Sequence, residues 1–430
     1  MEHLLHYVWK HKLFPLRELQ TTDGLPVEVI DPGMHNSDAG PDFFNAKLRI
    51  GETMWVGNIE IHTHASDWYR HGHHSDKTYN SVILHVVADA DSEVTRPDGQ
   101  PIPQLILPCP EHIRTHYRQL CQADHSPVCA AVFPTLPPIT LRSWLTTLWV
   151  ERLQQKAVQI QERLRRCDGN WEDAFFVTLA RNFGFGLNGD AFEAWAYLLP
   201  YRALDKHRDN PFQLEAFFYG MAGMLEEEFL ATAGRADEYA LRLRTEFRYL
   251  RHKFEIGQVL DATRWRFLRL RPESFPTIRL AQLSDLYGRA DKLFSRLLEA
   301  ETLADIRLLL NAHTSPYWED HFIFGRSSPK REKWLGRSSK DLIVINTVVP
   351  SLYAYGAHKG NERMCERAGR FLEELKPENN HIVKTWADAG LSAADAADSQ
   401  ALIQLRKEYC DKRKCLFCRF GYEFLRGKRG

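Results

Sequence analysis

Residues 36–85 read NSDAGPDFFNAKLRIGETMWVGNIEIHTHASDWYRHGHHSDKTYNSVILH and gather acids, imidazoles and turn formers more densely than the rest of the chain. Two strand-like runs, residues 43–50 and 54–62, flank Gly51-Glu52-Thr53, which reads as a hairpin turn. Asp42 opens the first strand and Glu60 lies near the end of the second. Side chains alternate along a strand, so Asn58, Glu60, His62 and His64 are expected on one face provided no bulge intervenes, with Val56, Ile59 and Ile61 as the apolar positions. A solvated sheet face normally carries serine, threonine and lysine. An acid and two imidazoles in phase suit a metal ion.

Outward from this hairpin, residues 2–14 form a plausible helix with Leu4, Leu5, Val8 and Trp9 on one side. Residues 27–30 make a short strand between the turn signals Thr21-Thr22-Asp23-Gly24 and Asp31-Pro32-Gly33. A short helix is expected over 66–79 with Ser66 as its N-cap, and the apolar run 82–87 is a buried strand. The order is helix, three strands, helix, strand. With Pro41-Asp42 followed eighteen positions later by Glu60-Ile61-His62, this order resembles the core and signature of PD-(D/E)xK nucleases. The resemblance implies an α+β protein with an N-terminal mixed-sheet, restriction-endonuclease-like domain and a metal-dependent nuclease activity on DNA or RNA. It assigns the catalytic positions to Asp42, Glu60 and His62, with Asp42, Glu60 and the Ile61 carbonyl holding Mg²⁺ or Mn²⁺. Those nucleases normally have lysine where this chain has His62, which would orient or deprotonate water, or act as a ligand. Lys47 is turned to the opposite face by alternation, and Glu2, His6 or Glu28 remains to complete the metal shell.

Two other readings use the same residues. Ile61-His62-Thr63-His64 resembles the His-x-His that opens metal-dependent amidohydrolase and polymerase-histidinol-phosphatase domains, and His71, His73, His74 and Asp76 follow at once. That would make the histidine cluster the centre of a different metal-dependent hydrolase. Alternatively the nuclease-like core is inactive for want of the lysine, and the chain is a nucleic-acid-binding or assembly module. Over its whole length, on the runs Asn36 with Asp38-Ala39-Gly40-Pro41-Asp42-Phe43, Gly57-Asn58-Ile59-Glu60-Ile61-His62, Ser66-Asp67-Trp68, Leu84-His85-Val86-Val87 and the tail from Ser399-Gln400-Ala401-Leu402 to Cys418, it resembles an uncharacterised bacterial family of unknown function.

The 430 residues, 44% of them hydrophobic, allow two or three packed domains. Lys+Arg and Asp+Glu balance at 56 each, so any surface for nucleic acid must be a local patch. No run of apolar residues is long enough to span a bilayer, and the first residues have neither a basic n-region nor an apolar core. A cytoplasmic protein with no membrane partner is expected. Eight cysteines are too sparse for a disulfide framework.

After the central stretch, residues 104–107 read as a further strand and 111–122 as a helix. Three prolines between Phe133 and Pro138 mark the best linker, dividing a nuclease-like domain, residues 1–133, from a mainly helical domain, residues 139–430. Beyond it the apolar period becomes helical, with Thr140 and Asn210 as N-caps and Asp168-Gly169-Asn170 as a break. Residues 342–355 fit helix or strand, and 392–409 should be the last long helix. Residues 242–279 carry ten Arg/Lys against four acids, interleaved with Phe247, Tyr249, Phe254, Trp265, Phe267 and Phe275. Cations for phosphates and rings for bases suit a polynucleotide, with Arg264, Arg266, Arg269 and Arg271 the chosen contacts. The same pattern also describes solvent-facing arginines over aromatics that fill a core.

Near the end stands Cys410-x4-Cys415-x2-Cys418. These three thiols are expected within a few ångströms of one another, as ligands of Zn²⁺ or an iron–sulfur cluster, with Lys412, Arg413 and Lys414 helping to ionise them. A fourth donor must come from Cys129, Cys121, Cys365 or a histidine. Free, packed cysteines are the alternative.

Overall fold

The first helix, α1 (Glu2–Lys10), buries Leu4, Leu5, His6, Tyr7, Val8 and Trp9. In the computed structural model, which describes residues 2–15, 19–36, 38–122, 127–232 and 236–427, α1 packs against a mixed six-stranded sheet. The strands are β1 (Val27–Asp31), β2 (Met34–His35), β3 (Phe43–Ile50), β4 (Thr53–His64), β5 (Val82–Asp89) and β6 (Gln104–Ile106), with α2 (Asp67–Arg70) between β4 and β5 and α3 (Glu111–Gln122) after β6. They lie in the order β1-β3-β4-β5-β6, with β2 also on β3. The pairs β1–β3 and β3–β4 are antiparallel, whereas β4–β5 and β5–β6 are parallel. Parallel strands must be covered on both faces, and β5 accordingly buries Val82, Ile83, Leu84, His85, Val86 and Val87. Each such aliphatic side chain contributes about 1.5–3 kcal/mol on burial.

The hairpin turn is tighter than expected. Ile50 pairs with Thr53, so only Gly51 and Glu52 form the loop, and Gly51 at φ 59° supplies the left-handed residue a two-residue hairpin requires. Farther along, the register changes. Ala46 faces Gly57, whereas Phe43 faces Ile59, with one extra residue of β3 in between and Asn45 at φ 56°. Had the first register continued, Asp42 would face Ile61. The bulge slips the pairing by one residue, so Asp42 faces Glu60 and the two carboxylates share one side of the sheet. Gly57 is required where β4 meets the next strand, because a Cβ there would lie 2.3 Å from Ile83 Cγ2 and 2.8 Å from the Ser81 carbonyl.

Some local expectations need correction. From Ile59 to His62 every residue of β4 is buried, while Val56 is 63% exposed, because the strand is covered on both sides only at its far end. The helix expected over 66–79 is α2 followed by two 3-10 turns, His73–Ser75 and Lys77–Ser81. Ser66 does not cap α2; its hydroxyl donates to Asp91 at 2.6 Å. Thr140 lies inside the helix Pro138–Arg166, since proline fits the first turn of a helix and the chain turns helical directly after Pro137.

The chain falls into two units, residues 1–141, 384–392 and 405–430 in one, and 142–383 and 393–404 in the other. The sheet belongs to the first. Residues 405–430, given to the helical part by the sequence, belong with the sheet, because helix Arg419–Arg426 packs on α3 and on the 3-10 segment Val128–Thr135, with Phe420 4.9 Å from Phe133. The run 392–409 is therefore not the last helix. The second unit is helical around a core that includes Phe217, Phe218, Trp195 and Trp318. Asn210 caps the helix Pro211–Met221 through Gln213 N–H, and the ambiguous run 342–355 is helical with a π-helical turn at Val344–Val348. No helix among the described residues is long and apolar enough to cross a membrane.

Candidate metal centre

The side-by-side placement of Asp42 and Glu60 is fixed by main-chain hydrogen bonds. The Asp42 N–H donates to Glu60 Oε2 at 3.2 Å, and the Ile61 N–H donates to Asp42 Oδ2 at 2.8 Å. Glu60 is buried, and burial together with the neighbouring Asp42 charge pushes its carboxyl up to about 9. A buried acid held beside another acid has a strong demand for positive charge.

Part of that charge comes from α1. His6 Nε2 lies 3.4 Å from Asp42 Oδ2 yet makes no hydrogen bond, although the atom is buried. Burial alone would lower its proton affinity; Asp42, Glu2 and the Ile61 main chain outweigh that and raise it. Of the three candidates for completing the shell, His6 is the one brought to the acids. Glu2 acts on them electrostatically, and Glu28 pairs instead with Arg49 at 3.1 Å. Beside Asp42 opens a cavity of 390 Å³ lined in part by His3, His6, Lys10, His11 and His35.

Glu60 has a second side. Its Oε1 is 3.4 Å from His62 Nε2 and 3.1 Å from His73 Nε2, and His71 Nδ1 is 3.2 Å from His62 Nε2. His62 Nδ1 meets His85 Nε2 at 2.9 Å. Burial first, then His85, His73 and His71, hold the His62 pKa down to about 2, and burial holds that of His85 down to about 4. Such a His62 stays neutral and is a poor base for water. His64 is solvent-facing and pairs with Asp89 at 3.4 Å, so the two histidines of the His-x-His do not converge. His74 packs on Tyr69, and Asp76 caps a 3-10 turn through Thr78 N–H.

Sequence reasoning named His73 only within a run and missed His85. The signal for His85 is a lone polar residue inside Val82-Ile83-Leu84-His85-Val86-Val87. For His71 and His73 it is the glycine between them: Gly72 at φ 78° lets the chain turn both rings back to β4.

A family model described as "Protein of unknown function (DUF2851)" matches residues 2–381. The chain belongs to the DUF2851 family. No curated protein and no solved structure matches it. The match covers the whole of the Asp42, Glu60 and histidine constellation of this DUF2851 protein, whereas the cysteines of the tail lie beyond residue 381.

In that tail, the expected close triangle of thiols does not form. Among the described residues, only His62, His71 and His73 make a group of three or more donors all within 4.8 Å of one another. Two of the candidate fourth thiols interact electrostatically with the three: Cys129, whose proton affinity is raised by burial and then by Cys418, Cys410 and Cys415, and Cys121, which raises that of Cys415. The Cys410 thiol is pushed up to about 12 by burial, so the nearby basic residues do not ionise it; Lys412 pairs with Glu408.

Arg264, Arg266, Arg269 and Arg271 are all exposed on an irregular segment, and none forms an ion pair with a described residue. The rings proposed to stack on bases are not all available: Phe247 and Trp265 are buried, and the Trp265 indole donates to the Ala222 carbonyl at 2.8 Å. Phe267 packs on Phe275 at 5.3 Å.

Proposed function

We propose that this protein is a metal-dependent phosphodiesterase acting on nucleic acid, with Asp42, Glu60, the Ile61 carbonyl and His6 as the metal-binding set. The observation that carries this reading is the pairing of Asp42 with Glu60 across a bulged hairpin, next to a buried His6 nitrogen without a hydrogen bond. The donors fit a divalent cation. Two carboxylates and a carbonyl suit Mg²⁺ or Mn²⁺, and an imidazole among them favours Mn²⁺. Bound there, the ion would neutralise charge on a phosphodiester and make its water more acidic.

The chain's own groups account for the other tasks. Lys10, His3, His11 and His35 line the cavity beside Asp42 and present donors to an anionic phosphate. His62 takes the place of the lysine of PD-(D/E)xK nucleases, with both ring nitrogens near polar partners, and holds Glu60 in orientation. The restriction-endonuclease-like core is supported by the order of helix and strands and by β5 running parallel to β4.

The test is cleavage of single- and double-stranded DNA and RNA with Mg²⁺ or Mn²⁺. Wild type is expected to cut at least one of these, and Asp42→Asn and Glu60→Gln to lose at least about 100-fold of the rate, roughly 2.7 kcal/mol of transition-state stabilisation. Cleavage that persists unchanged in both variants overturns the assignment.

A further inference from the structure

Glu60 offers one oxygen to Asp42 and the other to a group of imidazoles of which the proposed phosphodiesterase site uses only His62. A tetrahedral transition-metal ion with bonds of about 2.0–2.1 Å holds neighbouring donor atoms about 3.3–3.4 Å apart. Here Glu60 Oε1 to His62 Nε2 is 3.4 Å, Glu60 Oε1 to His73 Nε2 is 3.1 Å, and His62 Nε2 to His71 Nδ1 is 3.2 Å. One nitrogen from each of His62, His71 and His73 lies within 4.8 Å of the others. The His62–His71 edge thus already has tetrahedral length, and Glu60 stands against His62 and His73 outside the mutual group of three.

From this geometry we infer that His62, His71 and His73 form a second cation site, three nitrogens with the Glu60 carboxylate beside two of them, selective for a dication such as Zn²⁺. Imidazole-rich sets prefer such ions to Mg²⁺. Glu60 then stands between the two sites, with Oε2 on the Asp42 side and Oε1 facing His62 and His73.

The surroundings fit ligands rather than a chance contact. Glu60 and His62 are two apart on β4 and face the same way. His73 is stacked on Tyr79 at 3.9 Å between ring centroids, which fixes its plane. His62 reaches His85 through its other nitrogen at 2.9 Å, the outer contact that sets the tautomer of a metal-bound imidazole. His71 is exposed, so an ion can enter from solvent.

The second site touches the phosphodiesterase reading only through His62 and the neighbouring Glu60, and binding separates the two. Protein stripped with a chelator is titrated with Co²⁺, whose visible bands report tetrahedral coordination, and then with Zn²⁺ in competition. Wild type is expected to take up one tetrahedral Co²⁺ that Zn²⁺ displaces. Asp42→Asn should keep it while losing cleavage. His71→Ala, at an exposed position, and His73→Gln should each weaken it by at least about 100-fold, with circular dichroism unchanged. No tetrahedral Co²⁺ in wild type, or equal binding by the folded His71→Ala and His73→Gln variants, overturns the site. Tetrahedral binding with no nuclease activity in any metal leaves the second site standing and removes the phosphodiesterase reading instead.

Discussion

Glu60→Gln is expected to make the metal-free protein more stable while abolishing its activity. Glu60 is 4% exposed, beside Asp42, and its carboxyl keeps its proton up to about pH 9, against an ordinary value of 4.5. Between those two values the folded chain holds a proton that the unfolded chain releases, so folding costs about 1.4 kcal/mol more for each pH unit. The cost is absent below 4.5, grows as pH rises and levels off above the folded value. At about pH 7.5 it reaches about 4 kcal/mol, and relaxation around the carboxyl brings the expected figure to about 2–4 kcal/mol. Glutamine is neutral and nearly the same shape, and its amide oxygen still accepts the Asp42 N–H, so the substitution removes the cost. His62 and His85 act in the other direction. Burial depresses their affinity, so both proteins weaken as pH falls below the ordinary histidine value of 6.5, and the difference between the two proteins isolates Glu60. Urea unfolding with chelator present measures it, as a gap that is below about 1 kcal/mol near pH 5 and opens to about 2–4 kcal/mol near pH 7.5. Stability curves that run parallel across this range would refute the claim that Glu60 is a protonated, uncompensated acid.

Other substitutions test other parts of the reading. His6→Ala is expected to raise the Mn²⁺ concentration needed for half-maximal cleavage by about 10-fold or more, because it removes a nitrogen donor beside Asp42; an unchanged metal dependence takes His6 out of the shell. Gly57→Ala should lower stability by about 1–3 kcal/mol in urea, since its methyl group must displace Ile83 or the Ser81 carbonyl, and a neutral result would mean that the β4–β5 contact is looser than it looks. Replacing Arg264, Arg266, Arg269 and Arg271 together by alanine should weaken nucleic-acid binding and flatten its salt dependence by up to about four charges, and equal affinity at low and high salt removes that segment as a contact. For the tail, a single zinc ion needs sulfurs about 3.8 Å apart, whereas no three of these thiols gather within 4.8 Å. If Cys129, Cys410, Cys415 and Cys418 share a metal, anaerobically purified protein is expected to be brown, with iron in excess of zinc, and less than about a tenth of an equivalent of either metal ends that proposal.

Much of this protein is written locally. The apolar spacing of Leu4, Leu5, Val8 and Trp9 defines α1, the β-rich runs around Gly51 define the hairpin, and Asn210-Pro211 marks a helix start, because each signal depends only on neighbours along the chain. The candidate acids, Asp42 and Glu60, were legible for the same reason. Their meeting was not. It depends on a one-residue bulge at Asn45 that turns Asp42 to the face of Glu60, because with the two-residue turn regular alternation would place them on opposite faces. The choice of His6 over Glu28, the arrival of His85 from the neighbouring parallel strand, and the return of His71 and His73 over β4 are likewise contacts between residues 9 to 36 positions apart. The aromatic rings among the arginines show the same limit, since only packing decides that Trp265 fills a core and Leu268 faces solvent. Composition and period determine which elements form and which residues are able to bind a metal. Register, bulge and crossover, which are set by burying both faces of the sheet at once, decide which of those residues stand together.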